Sequence, residues 1–207
     1  MATAGLDPLL QDLRAATSAK RRSAAKKLRK LGLPEAGPAL LEALRAEVRD
    51  PRTWETQYQM VMALGECGHG ESLPFLRELS KVPRQATMVN VALGDAIVRL
   101  ARTGSRDAGP ILEIMKAGDD MLADGAFRAM AMLRMVPEPK DVSLILMHVG
   151  GRSLEDGLRV WVAAAAAGWS GAESRTFLEQ CARSPRQDLQ RAARASLDGK
   201  YERWSPL

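Results

Sequence analysis

An all-α array of stacked helix pairs, an α-solenoid, is the fold class that the sequence predicts, and three observations predict it. The first is a repeat. The landmarks Leu28, Gly32, Pro38 and Leu40 return as Leu64, Gly68, Pro74 and Leu76, then as Leu100, Gly104, Pro110 and Leu112, each step being 36 residues. A fixed period of this size marks an array of like supersecondary units, each burying its apolar stripe against its neighbours. The second is composition. Of 207 residues 46% are apolar and only 4% aromatic, and the abundant Ala, Leu, Met and Arg favour helix. The third is that no stretch shows the period-two alternation of β-branched and aromatic residues that a half-buried strand needs.

Taken in order, Asp7-Pro8 predicts the start of a short first helix, Asp as cap and Pro at the first helical position, with Leu9, Leu10 and Leu13 on one face. Thr17 or Ser18 caps a second helix whose stripe is Ala24, Leu28 and Leu31, closed by Gly32 in a left-handed conformation. The second pair carries Leu40, Leu41, Leu44 and Val48 up to a break at Asp50-Pro51, then Met60, Val61, Leu64 and Cys67. The third offers Leu73, Phe75, Leu76 and Leu79, then Val89, Leu93, Ile97 and Leu100. The fourth pairs Ile111, Leu112 and Met115 with Leu122, Phe127, Met130 and Leu133.

Beyond this the period shortens. The closing landmarks Leu100, Leu133, Ala166 and Leu197 are 33, 33 and 31 residues apart. Pro139 opens a fifth pair whose second helix is expected over 154–168, and the sixth pair combines 172–183 with 185–197. The expected organisation is a single array over 1–199, in pairs at about 7–32, 34–68, 71–104, 107–137, 139–168 and 171–199, with an irregular tail at 200–207 in which Pro206 argues against helix. Gly32, Gly68 and Gly104 are each expected just past a helix end with positive φ.

The residues Arg22, Ala24-Ala25, Leu28, Leu31-Gly32, Glu35-Ala36, Pro38 and Leu40-Leu41 form a pattern that resembles the HEAT-repeat family. The likeness is to its short bacterial repeats, as in HEAT-like phycobilin lyases and scaffold proteins. Ser184-Pro185, Leu189, Arg191-Ala192-Ala193 and Leu197 repeat it near the end, whereas Ser143 and Thr176 stand where Pro is expected. The resemblance covers about six helix pairs. It implies a non-catalytic binding scaffold whose second helices line a concave wall. It names no partner.

The chain carries a formal charge of +5. The excess is uneven: 11 basic against 6 acidic residues in 1–52, 12 against 14 in 53–168, and 7 against 5 in 169–207. Two cysteines, Cys67 and Cys181, stand far apart in the sequence, the start lacks a signal-peptide pattern, and the longest apolar run, 160–167, is too short to span a bilayer. These features predict a reducing, cytoplasmic setting.

Motifs for chemistry are scarce. Nucleotide-binding glycine patterns are missing, and no Cys/His/Asp cluster has metal spacing, so no cofactor or metal is expected. His69 in a turn and His148 at a helix end are expected to be a solvated residue and a C-terminal cation. Asp119-Asp120 and Glu155-Asp156 fall at the starts of second helices, where carboxylates cap free N–H groups.

Two surfaces are candidates for binding. Lys20, Arg21, Arg22, Lys26, Lys27, Arg29 and Lys30 surround one helix, either as the solvated face of a terminal repeat or as a contact for nucleic acid or another polyanion. Aligning second helices on Leu28, Leu64, Leu100, Leu133, Ala166 and Leu197 puts Ser23, Gln59, Asp95, Arg128, Trp161 and Ala192 in one column. Lys30, Glu66, Arg102 and Met135 follow on the same face. Asp95 has Arg99 one turn on as an ion-pair partner. Trp161 is either a core residue or an anchor for a partner. The expected partner surface is Gln59, Glu66, Asp95, Arg99, Arg102, Arg128 and Trp161, recognising a protein. Asp95, Arg128 and Trp161 also resemble, loosely, the acid, Arg and aromatics of HEAT-like DNA glycosylases, although Val91 stands where an aromatic is wanted. Glycosylase or lyase activity is the weaker alternative.

Overall fold

The computed structural model describes residues 5–84 and 88–202. Among them twelve α-helices occur in six pairs and no strand is present. The fold class is therefore an all-α solenoid of helix pairs. The helices are α1 (Leu6–Asp12), α2 (Ser18–Leu31), α3 (Gly37–Glu47), α4 (Trp54–Glu66), α5 (Leu73–Ser80), α6 (Met88–Ala101), α7 (Gly109–Ala117), α8 (Asp120–Met132), α9 (Pro139–Gly150), α10 (Leu158–Ala165), α11 (Ala172–Cys181) and α12 (Gln187–Leu197). Short 3-10 turns lead into α3, α4 and α5 and close α10. No described helix is long and apolar enough to cross a membrane. The expectations about the start of the chain and about Pro206 lie outside the described residues.

The chain divides into two compact units, Met1–Ala101 and Arg102–Leu207. In the first, α2, α4 and α6 pack side by side, and α1, α3 and α5 each lie on the second helix of their own pair. Leu28, Leu40, Leu44, Met60, Leu64, Leu76 and Leu93 are wholly buried there. Close approach of α4 and α6 requires Gly65, because a methyl group at that position would come within 3.0 Å of the Ala96 Cα. In the second unit α8, α10 and α12 pack side by side, backed by α7, α9 and α11, with Ile111, Phe127, Met130, Ile145 and Leu189 fully enclosed. Each row is the inner layer that a solitary helix pair lacks.

Helix ends follow local chemistry, with several departures from expectation. Gly68 has φ +67°, and its N–H donates to the Gly65 carbonyl while the His69 N–H donates to Leu64, closing α4 with two otherwise orphaned carbonyls satisfied. Gly32 is left-handed as expected, at φ +59°. Gly104 is not among the positive-φ residues. After α6 the chain enters a longer loop in which the Asp107 carboxylate accepts from the Thr103 N–H, the Thr103 hydroxyl and the Gly109 N–H. That carboxylate satisfies the turn, and no left-handed cap is needed.

Asp7 does not cap α1, which begins two residues earlier than expected, at Leu6, with Gly5 at the cap position. Burial of Leu6 draws the first turn into the unit. Thr17 holds the cap position of α2 without a side-chain bond, and the Ser18 hydroxyl instead donates to Glu47 Oε1 at 3.0 Å. The α10 helix starts at Leu158, not at 154. The residues before it form a polar loop in which Ser153 accepts from the Glu155 N–H, and Asp156 Oδ1 caps Leu158 at 2.9 Å. Leu154 stays outside, its carbonyl accepting from the Ser184 hydroxyl. Asp119 caps α8 as expected, through the N–H groups of Met121 and Leu122.

Candidate protein-binding surface

In the first unit the expected surface is largely an internal network. The Arg99 Nε donates to Asp95 Oδ1 at 2.5 Å and its Nη1 to Glu66 Oε2 at 3.1 Å. One guanidinium thus joins an acid one turn back on α6 to an acid on α4. Asp95 is fully buried, so the surface ion pair anticipated from its spacing is an interior one. Charge pairing and charge-assisted hydrogen bonding keep this buried carboxylate tolerable. Arg29 Nη1 reaches Gln59 Oε1 at 3.5 Å across α2 and α4. Gln59 and Glu66 remain half-exposed.

In the second unit Arg102 is half-buried, with its Nε enclosed and without a hydrogen-bond partner. Arg128 on α8 and Trp161 on α10 meet as the repeat register predicts, the guanidinium carbon lying 5.8 Å from the indole centroid. Both are half-buried. This is cation–π geometry, which holds a large aromatic at a helix face without enclosing it.

Several residues of this face escaped the sequence reading. Asp124, one turn before Arg128, is pushed up to about 6 by burial, against the pull of Arg128 and Arg186 and with Asp156 adding repulsion. Arg152 bridges Asp120 at 2.6 Å and Asp156 at 3.3 Å, and Arg186 pairs with Asp188 at 2.7 Å. The signal was present: one turn before the Arg128, Trp161 and Ala192 column stand Asp124, Gly157 and Asp188.

His148 is not the cation expected at a helix end. Burial lowers its pKa, Arg152 lowers it further, and its ring meets Phe127 edge-on at 6.1 Å between centroids. His69 is not solvated either, for its Nδ1 is 2.7 Å from the Ser72 hydroxyl and its side chain is only 12% exposed. Both thiols are free and buried, and burial raises Cys67 to about 11. No group of three or more His, Cys, Asp or Glu converges as metal ligands among the described residues.

The basic helix α2 does not act as one patch. Arg21 turns inward, its Nε 2.6 Å from Glu47 Oε2 and its Nη2 2.9 Å from Oε1. Burial alone would raise the Glu47 pKa, but the hydrogen bonds from Arg21, Thr53 and Ser18 outweigh it and lower it. Arg29 is 7% exposed, whereas Leu31, expected in the buried stripe, is 47% exposed. The α2 helix is first in its row, so its side away from α4 has no second helix against it. Lys20 pairs with Asp12 at 2.9 Å, and Arg22 pairs with Glu55. Lys26, Lys27 and Lys30 are exposed.

Residues 20–46 match the family model of the PBS lyase HEAT-like repeat. The match takes in α2 and most of α3, the segment from which the 36-residue period is counted. No curated protein matches the sequence. Among solved structures, a designed armadillo repeat protein is similar over 94% of this chain and 99% of its own, at 17% identity and a TM-score of 0.43.

Proposed function

We propose that the protein is a non-catalytic binding scaffold that holds a protein partner on the face of its second helices, with Trp161 as the anchor. The single observation that carries this reading is the Trp161–Arg128 pair, a half-buried indole steadied by a neighbouring repeat's guanidinium. An aromatic held rigid and partly solvated is the side chain type that dominates interface energies. Glu66, Arg99 and Gln59 supply polar recognition in the first unit, and Arg102 and Arg128 in the second. Asp95 takes no direct part, being buried beneath Arg99.

Immobilised wild-type protein and the Trp161→Ala variant, compared by mass spectrometry of what each retains, test the reading. The variant should lose specific partners, with affinity weakened by about 2 kcal/mol or more. Its folding stability should fall by only about 1 kcal/mol. A loss of several kcal/mol in folding with an unchanged set of partners would show that Trp161 is a packing residue.

A second reading, polyanion binding by α2, has Lys26, Lys27 and Lys30 in its favour. Three phosphate contacts give a salt slope of roughly −3 on duplex DNA, against about −6 for all seven cations. Double-logarithmic titration of binding against salt separates these values.

A further inference from the structure

A groove of about 990 Å³ opens in the first unit between the α3–α4 turn and the residues from Leu79 to Arg84 that end α5 and follow it. It arises from unequal helix lengths. The α3 helix has 11 residues and α5 has 8, so α5 stops about one turn short and leaves the α3–α4 turn uncovered. Val48, Pro51, Trp54, Leu79, Val82 and Val89 supply its apolar wall. Trp54 is 37% and Val82 51% exposed, which is costly for side chains of this size unless something covers them.

The charge in the groove is one-sided. Among the described residues its lining includes Arg52 and Arg84 and no carboxylate. Arg52 is already satisfied by Asp50, through Nε at 2.9 Å and Nη2 at 2.8 Å. Arg84 is not. Its Nη1 donates to the Val82 carbonyl at 3.0 Å and to Asn90 Oδ1 at 3.3 Å, both neutral acceptors. Burial lowers its pKa with no acid acting against it. A half-buried guanidinium without a counter-charge is a receptor for a carboxylate, the planar fork matching both oxygens.

We propose that this groove docks a segment of a partner polypeptide in which an Asp or Glu stands among large apolar side chains, the carboxylate meeting Arg84 and an apolar neighbour packing on Trp54. None of its lining residues belongs to the surface proposed around Trp161. The groove's size suits a short peptide segment. Pro51, Arg52, Trp54, Val82 and Pro83 are all exposed, so it is an open trough. An open trough suits a chain running along it, whereas an acyl chain requires enclosing walls.

The test uses fluorescein-labelled heptapeptides with a central Glu flanked by Leu and Phe, beside Gln- and Lys-centred counterparts, measured by anisotropy on the full chain. Wild type should bind the Glu peptides at least tenfold more tightly than the Gln peptides, more weakly as salt rises. Arg84→Glu should abolish that preference and favour the Lys peptides. Arg84→Gln keeps a donor for Val82 and Asn90, and should bind Glu and Gln peptides alike. Trp54→Ala should weaken all three sets, with far-UV circular dichroism showing each variant folded. Absence of binding by any peptide, equal binding of the Glu and Gln sets, or a Glu preference surviving in Arg84→Glu would each overturn the proposal. So would displacement of bound peptide by decanoate at equal or lower concentration, which would make the groove an acyl-carboxylate site.

Discussion

Arg159 is the largest side chain wholly enclosed in the second unit, and replacing it with Met should cost about 2–4 kcal/mol of folding stability. Arg159 is 2% exposed and has no carboxylate partner among the described residues. Its Nη2 donates to the Gly150 and Arg152 carbonyls, both at 2.7 Å, and its charge lies 5.6 Å from the Phe177 centroid. The cation thus caps the C-terminal end of α9, where carbonyls lack helical partners and the dipole favours positive charge. Hydrogen bonds from a charged donor contribute about 1.5–3 kcal/mol each. Met loses both but also relieves the desolvation of the guanidinium, a penalty of several kcal/mol in its own right. The two carbonyls are part-buried, so water rescues them only partly. A Met thioether recovers some contact with Phe177. The balance leaves the stated loss, a fall of roughly 5–15 °C in Tm for a chain of this length. Arg159→Lys should fall between, because one ammonium cannot span two carbonyls and lie over the ring. Urea unfolding measures the stability, and hydrogen exchange of the last-turn amides of α9 locates it. A Met variant as stable as wild type would refute the reasoning, since desolvation would then outweigh everything the cation binds.

Gly68→Ala should cost about 1 kcal/mol from its left-handed backbone, with no steric clash, whereas Gly104→Ala should leave the melting temperature unchanged or slightly raised. Asp124 is raised to about 6 in the folded protein from an ordinary value of 3.8, so the folded state holds the extra proton between those values and stability falls as pH rises through that window. Asp124→Asn should therefore stabilise the protein by about 1–3 kcal/mol at pH 8, an advantage that fades through pH 6 and is gone near pH 4; urea midpoints at the three pH values check the sign. With Cys67 at about 11 and Cys181 also raised by burial, neither thiol should react with Ellman's reagent at pH 8 until urea unfolds the chain.

The helix pairs were legible because the same environment recurs: Leu28 and Leu64 are each wholly buried at the same place in successive second helices. Gly68 was legible because a helix needing a left-handed exit takes glycine. Gly104 misled because Asp107, three residues on, does the same work with a side chain. The α2 stripe misled for a tertiary reason. Periodicity alone favours Leu31, but the side of α2 that gains a neighbour is the one facing α4, where Arg29 meets Gln59.

Charged residues were the least legible class, and the cause is the distance at which their partners stand. Arg21 finds Glu47, Arg99 finds Glu66 and Arg152 finds Asp120 at separations of 26, 33 and 32 residues. The Ser196 hydroxyl finds the Ala163 carbonyl at 33. The last three separations are close to one repeat, so those bonds tie an element to its counterpart in the next pair, whereas Arg21 on α2 meets the end of α3. In a stacked array that coupling is a nearest-neighbour term. A local window of sequence contains only one end of it. Asp120 therefore read as half of a helix cap, although with Arg152 it clamps successive pairs. Asp124 differs because its column in the next pair holds Gly157. Burial there outweighs the pull of Arg128 and Arg186, and the proton is held more tightly. A charged column should thus be read one repeat away before being assigned to a partner's surface, and only residues still uncompensated after that, such as Arg84, point outward to a ligand.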